Sequence, residues 1–217
     1  MPMRVLGALA LLVASLMLVA ACSSEDPDPE AATDVLAAFE GVPASGATIG
    51  DPDALVEVTE YLDLQCPFCK IASEEIVPVL LEEQVKTGEI KMTANPIGIL
   101  GPASVLGARG AAAAQEQDQA WPFIETMLAN QGPENSGWLT EDLMRTVATD
   151  LGMDVDKWDE DLQNGSEATF NEWQRAAQAA GIAATPTFVV RGPGGEQQVA
   201  SADADAVTAA IAAVSES

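Results

Sequence analysis

Two cysteines three positions apart, in the run Cys66-Pro67-Phe68-Cys69, are the residues of this 217-residue chain best suited to chemistry. A thiol placed at the start of a helix meets unpaired backbone amides and the positive end of the helix dipole. Both favour the thiolate and lower its pKa. A second thiol one turn further in is close enough to attack a mixed disulfide formed on the first. The pattern therefore describes dithiol–disulfide exchange in which the Cys66–Cys69 pair is itself the redox centre, with no separate cofactor. A zinc site would want a second pair of ligands, but the chain has no histidine and no other CxxC, so no metal is expected. A purely structural disulfide is the other reading, although so small a loop constrains the unfolded chain little. The lack of histidine also removes Ser-His-Asp and Cys-His nucleophile chemistry.

Two further features sit near this motif in the expected fold. Thr185-Pro186-Thr187 stands just before a late strand. Proline cannot donate a central ladder hydrogen bond, so Pro186 marks a special backbone geometry, either a cis Thr185–Pro186 bond or an ordinary trans strand-entry proline. Glu60 lies six residues before Cys66 on the inbound strand, where alternation groups it with Val56, Val58 and Leu62. A carboxyl embedded in that apolar row would hold its proton and could pass it on, whereas one on a wet edge would not.

The elements that must position these residues follow from periodicity. Residues 55–62, after the turn signal Gly50-Asp51-Pro52-Asp53, read as a strand. Residues 67–86 read as a helix through Phe68, Ile71, Ile76, Val79, Leu80 and Leu81, with Pro78 kinking it. Residues 89–94 are a second strand. Residues 96–181 read almost wholly as helices, with capping Thr140 and Ser166 and a stop at Gly181, and their tryptophans and phenylalanines are expected to form the core of that section. Segments 187–191 and 197–200 flank the turn Gly192-Pro193-Gly194-Gly195 as a hairpin, and a last helix covers 203–214. The class is α/β.

The chain carries 34 acidic and 9 basic residues, a formal charge of −25. That balance argues against nucleic acid, whose phosphates need clustered Lys and Arg; it describes a solvated acidic coat that could also steer cationic partners. At the start, Arg4 precedes an apolar run over 5–21 that ends in small residues before Cys22, which reads as an export signal. Val19-Ala20-Ala21-Cys22 resembles a bacterial lipobox, making residues 1–21 a signal peptide and Cys22 the lipidated first mature residue. An uncleaved membrane anchor and an ordinary cleaved signal are the alternatives. Residues 22–45 read as an acidic flexible tether. One domain over 46–217 is expected, its folded part starting between residues 31 and 46.

Gly50-Asp51-Pro52-Asp53-Ala54, the run from Glu60 through Cys66-Pro67-Phe68-Cys69, and Gly181-Ile182-Ala183-Ala184-Thr185-Pro186-Thr187-Phe188 together resemble the signatures of the DsbA-like branch of the thioredoxin superfamily. The resemblance implies a thioredoxin-like fold with an inserted helical domain at about 96–181. By the same matching Cys66 is the exposed nucleophile, Cys69 the resolving thiol, Pro186 the cis-proline against the disulfide and Glu60 the buried acid of a proton path. Thr185 offers a backbone contact to substrate, and Pro67, Phe68 and Pro186 complete that surface. The implied function is oxidation of exported protein thiols, with a membrane redox partner reoxidising the pair, from a lipid-anchored position on the outer face of a bacterial membrane. An export address favours oxidation. A reductase serving exported thiols or cytochrome maturation is the alternative, and an isomerase is less expected without a separate dimerisation domain. From another class, the chain could be a non-catalytic lipoprotein binding a peptide or small ligand around Pro186. One departure stands out: the strong oxidants of this family have histidine where this chain has Phe68, which can neither donate a hydrogen bond nor carry charge, so a less oxidising disulfide is expected.

Overall fold

A computed structural model describes residues 29–216. The expected signal peptide and Cys22 lie outside the described residues. Among the described residues the strands form one six-stranded sheet in the order β1-β2-β4-β3-β5-β6, with β1 at Ala44–Ser45, β2 at Thr48–Gly50, β3 at Val56–Leu62, β4 at Ile90–Pro96, β5 at Thr187–Gly192 and β6 at Gly195–Val199.

Strand β3 lies at the centre of the sheet. It pairs in parallel with β4, from Val56↔Ile90 to Leu62↔Pro96, and antiparallel with β5, including Glu60↔Phe188 and Tyr61↔Thr187. Every β3 residue except Glu57 is buried, because both faces of a central strand are covered by other elements. Val56, Val58 and Leu62 join the main core, while Tyr61 packs with Ile97, Ala177 and Val189 in a smaller cluster. Leu55, expected in the strand, falls just outside it and is exposed.

The parallel step from β3 to β4 needs a crossover, supplied by α2 (Pro67–Glu75), α3 (Val77–Leu80) and a wider π-type turn over Leu81–Val85. The break between α2 and α3 falls at Ile76, two residues before Pro78. A proline ring clashes with the carbonyl four residues earlier and donates no hydrogen bond to it, so the helix axis is interrupted there.

The helical insertion consists of α4 (Pro102–Gln115), α5 (Ala120–Ala129), α6 (Glu141–Asp150), α7 (Val155–Asn164) and α8 (Ser166–Ala179). The alanine-rich α4 packs against each of the other four. Trp121, Phe123 and Trp158 are fully buried around it, with Trp158 Nε1 donating to Gly110 O at 3.0 Å and Trp121 Nε1 to Ala47 O at 3.0 Å. Thr140 caps α6 through Leu143 N–H and Asp154 caps α7 through Lys157 N–H. After β6, α9 (Ala204–Ser215), capped by Asp203, packs on β5 and β6. The class is thus an α/β thioredoxin-like fold with inserted helices.

Two expectations are corrected. Residues 22–45 are not tether throughout: α1 (Pro29–Phe39) packs on α5, with Ala32 buried and the ring of Phe39 stacked on Trp121 at 6.5 Å. The apolar residues Ala32, Leu36 and Phe39 recur at helical spacing and have a face to bury, which offsets the acidic composition. Ser166 does not cap α8. Gly165 holds the cap position with a helical backbone, and Ser166 Oγ donates to Leu162 O at 2.7 Å, one turn back into α7.

Candidate functional site

The loop from β3 to α2 is fixed by Asp63, a buried carboxylate that accepts backbone N–H groups from Gln65 (2.9 Å), Ile99 (2.9 Å) and Leu100 (3.0 Å). Gln131 Nε2 donates to Leu64 O at 2.7 Å and to Cys66 O at 3.1 Å. Gln65 Nε2 donates to Ser104 Oγ at 3.0 Å, and its Oε1 accepts Asn135 N–H at 3.0 Å. The insertion therefore clamps both sides of the cysteine turn. Asp63, Gln65 and Gln131 were not anticipated; a carboxylate immediately after a buried strand was the available signal for Asp63.

Cys66 occupies the N-cap position of α2, with Pro67 at the first helical residue where its missing N–H costs nothing. Its backbone is extended (φ −75°, ψ 119°), which turns the side chain towards the strand entry of β5. There the Thr185–Pro186 bond is cis, and the Cys66 thiol donates to Thr185 O at 3.2 Å. Pro186 is buried beside it. The expected exposed nucleophile is corrected in degree: Cys66 is only 5% exposed, because this loop lies over it. Pro67 and Phe68 stand in the open, Phe68 at 60% exposure.

The two sulfurs are chemically unequal. The Cys66 pKa is lowered to about 6, chiefly by a hydrogen bond from the Cys69 thiol, against the opposing effect of burial. The Thr185 side chain and the N–H groups of Cys69 and Phe68 add to the lowering. Thr185 O can accept only from the protonated thiol, so each protonation state of Cys66 has partners. Cys69 is fully buried, and burial pushes its thiol well above the ordinary range, helped by its hydrogen bond to Cys66 and the nearby charges of Cys66 and Glu60. Asp63 N–H points at Cys69 Sγ at 3.4 Å. The two cysteines are free thiols here, so this is the dithiol form of the pair.

Glu60 is 1% exposed, in the middle of the sheet rather than on an edge. Its Oε2 has no hydrogen-bond partner. Burial first, and the charge of Glu125 second, raise its pKa well above the ordinary carboxyl value. The structure thus brings Cys66, Cys69, Thr185, Pro186 and Glu60 to one place, with Phe68 and Pro67 at its rim. Among the described residues no group of three or more His, Cys, Asp or Glu side chains is arranged to hold a metal. Chemically, the arrangement offers an acidic thiol just beneath the surface, a protonated thiol behind it and a proton-holding carboxyl behind both.

The family profile described as Thioredoxin matches residues 44–213, nearly the whole described chain. The chain belongs to the thioredoxin family. A 121-residue stretch is 30% identical to the probable disulfide bond formation protein D of Bacillus cereus, covering 54% of this chain and 56% of that protein. The chain thus matches about half the length of that relative. In three dimensions it resembles BdbD from Bacillus subtilis, solved oxidised, with a TM-score of 0.69 at 23% identity over 79% of this chain and 96% of the other. The thiol-disulfide exchange protein α-DsbA2 from Wolbachia pipientis gives 0.63 at 18% identity, over 86% and 97%. The fold is therefore DsbA-like.

Proposed function

We propose that this thioredoxin-family chain is an extracytoplasmic thiol–disulfide oxidoreductase that oxidises exported proteins through Cys66 and Cys69. The observation that carries the reading is the opposite treatment of the two thiols: Cys66, at the α2 N-terminus against the cis-Pro186 loop, is acidified to about 6, while Cys69 is buried and held protonated. A low-pKa sulfur is the one attacked and the one that leaves; a high-pKa sulfur closes the pair. In the oxidising direction a substrate thiolate attacks Cys66, the Cys66–Cys69 bond breaks, and Cys69 leaves with the electron pair and gains a proton. A second substrate thiol then displaces Cys66 as thiolate. The pair returns to the disulfide by passing two electrons to a membrane redox partner. Thr185 offers its backbone beside Cys66, with Pro186 buried beneath it, and the exposed Pro67 and Phe68 supply the surface around them. The name of the Bacillus cereus relative agrees with disulfide formation. Export and lipid attachment through Cys22 complete the proposal; among the described residues no helix is long and apolar enough to cross a membrane.

The measurement that decides direction is the reduction potential of the Cys66–Cys69 pair against glutathione. Phe68 supplies only its backbone N–H to the thiolate, so the expected value is less oxidising than the roughly −120 mV of the strongest oxidants, yet above the roughly −270 mV of thioredoxin. A value near thioredoxin's refutes the oxidase reading and supports the alternative of a reductase. Full activity in a Cys66→Ser variant refutes both.

A further inference from the structure

Glu125 is the one charged residue of α5, in the apolar run Ala120-Trp121-Pro122-Phe123-Ile124-Glu125-Thr126-Met127-Leu128. It is 6% exposed, and the thiol chemistry above gives it no part. Ser73, on the α2 turn that follows Cys69, donates its hydroxyl to Glu125 Oε2 at 2.5 Å. Ser73 and Glu125 together line a cleft of 320 Å³ between α1, α2–α3 and α5, walled by Phe39 and Pro78 and rimmed by Asp34 and Glu74. On its inner side Glu125 lies close enough to Glu60 for their charges to interact, and Glu60 in turn interacts with Cys69. Glu60 Oε2 has no partner in the protein. A buried thiol, a buried carboxyl with a spare oxygen and a second carboxyl thus lie within electrostatic reach of one another, with no direct hydrogen bond from Glu60 to either neighbour, and the second carboxyl meets a hydroxyl at an opening to solvent.

We propose that Glu125 is the outer acceptor of a proton path that starts at Cys69, passes through Glu60 and opens beside Ser73 into the cleft between α1, α2–α3 and α5. The inference rests on the dithiol reading above. When the pair closes, Cys69 attacks Cys66 of a mixed disulfide. The new Cys66–Cys69 bond forms, the bond to the partner sulfur breaks, and that sulfur departs with the electron pair. The Cys69 proton moves to Glu60 as the proton of Glu60 moves to Glu125, each hop carried by a bridging water because no direct hydrogen bond joins these side chains, and Glu125 releases it to the cleft. When the pair opens, the same protons run inward and neutralise the leaving Cys69 thiolate. Two carboxyls suit this task better than one. Both are buried and cannot be ionised together cheaply, so the pair carries at most a single charge, which a proton hop relocates. Ser73 stabilises the ionised form of Glu125, and burial brings that group to about 8, within the working range of a base. The other charged groups facing the cleft are Asp34 of α1 and Glu74 of α2, with Lys70 of α2 reaching Ala129 O on α5. Glu125 touches neither sulfur, so it is a positioning residue acting through Glu60.

The test follows closure of the pair in the reduced full-length chain. Oxidised glutathione is added, the reaction is quenched in acid, and the Cys66–glutathione adduct and the closed disulfide are separated by mass across pH 5–10. Glu125→Gln is expected to slow closure by about tenfold or more at pH 8 and to remove the rise in rate near that pH. Ser73→Ala is expected to move the rise to higher pH, because the bond favouring ionised Glu125 is gone. Glu60→Gln combined with Glu125→Gln is expected to be no slower than Glu60→Gln alone. A Glu125→Gln chain that closes with the wild-type pH profile overturns the path while leaving the dithiol reading intact. A wild-type chain that forms neither adduct nor disulfide overturns both. If Glu125→Gln does not fold, an unmoved pH profile in Ser73→Ala overturns the path by itself.

Discussion

The acidity of Cys66 lends itself to a direct test by site-resolved alkylation. Its pKa of about 6 compares with about 8.5 for a thiol in an unfolded chain. At pH 7 the folded thiol is about 90% thiolate and the unfolded one about 3%, a ratio of roughly thirty. A less basic thiolate is a weaker nucleophile, by about tenfold for this difference at a Brønsted slope near 0.45. Folded Cys66 should therefore react only about twofold faster than the unfolded chain at pH 7, but about twentyfold faster at pH 5, where the thiolate ratio is near three hundred. The assay is iodoacetamide labelling of the reduced chain, native and in denaturant, between pH 4.5 and 9, with each cysteine quantified by peptide mass. The native Cys66 profile should have its midpoint near 6 and be flat above about 7.5. Cys69→Ala should move that midpoint upward, since the Cys69 thiol is the largest source of the lowering. A native midpoint near 8.5, or one that Cys69→Ala leaves in place, refutes the account of the site. The sign also fixes a stability effect. A depressed thiol pKa stabilises the folded dithiol fully above about 8.5, and that contribution is lost as pH falls through about 6.

Other expectations are more local. Burial raises Glu125, so the folded state binds a proton there that the unfolded state has released, and stability falls as pH rises from about 4.5 to about 8. Glu125→Gln should flatten the fall in denaturation midpoints across that window. Asp63→Asn places an amide donor among backbone N–H groups that now meet a carboxylate; it should cost about 2 kcal/mol or more in urea unfolding at pH 7, and wild-type stability would refute the clamp. Gly50 has φ +103°, and a Cβ there would sit 2.9 Å from Ile90 O, so Gly50→Ala should destabilise by about 1–3 kcal/mol in the same assay. Cys22→Ser should release the chain from the membrane fraction and abolish fatty-acid labelling; unchanged fractionation would refute the lipid anchor.

Much of the frame was legible because its signals are strong and local. The β-branched run before Cys66, the CxxC at a helix start and the proline before Thr187-Phe188 each have one good physical interpretation, and the switches between period 2 and period 3.6 mark the insertion. The short hairpin of β1 and β2 was not legible, since strands of two and three residues have no period to read; they exist because β4 offers them an edge. Helix α1 was hidden by acidic neighbours, although Ala32, Leu36 and Phe39 have the spacing. At Ser166 the local capping rule lost to continuity, because α7 and α8 run almost end to end and the hydroxyl bonds back to Leu162. Sequence alternation placed Glu60 among apolar residues but could not say whether that face was covered; both flanking strands and the helices above them were needed. Glu125 was overlooked although a lone carboxyl within an apolar helix is itself a signal, because its significance depends on α2 bringing Ser73 alongside.

The position of helix α1 in the chain bears on where the enzyme can work. A leash running from Cys22 to residue 46 would let the domain wander up to about 85 Å from its anchor, whereas the seven peptide steps from Cys22 to Pro29 span at most about 25 Å. With Cys22 acylated as proposed, the body of the domain stays within one protein diameter of the lipid surface. The local concentration it presents to a redox partner in the same membrane scales roughly as the inverse three-halves power of leash length, a gain of about sixfold over the longer leash. So anchored, the domain would not reach substrates further from the membrane. A chain held so close is suited to meeting polypeptides as they emerge from export, before their cysteines have found partners on their own.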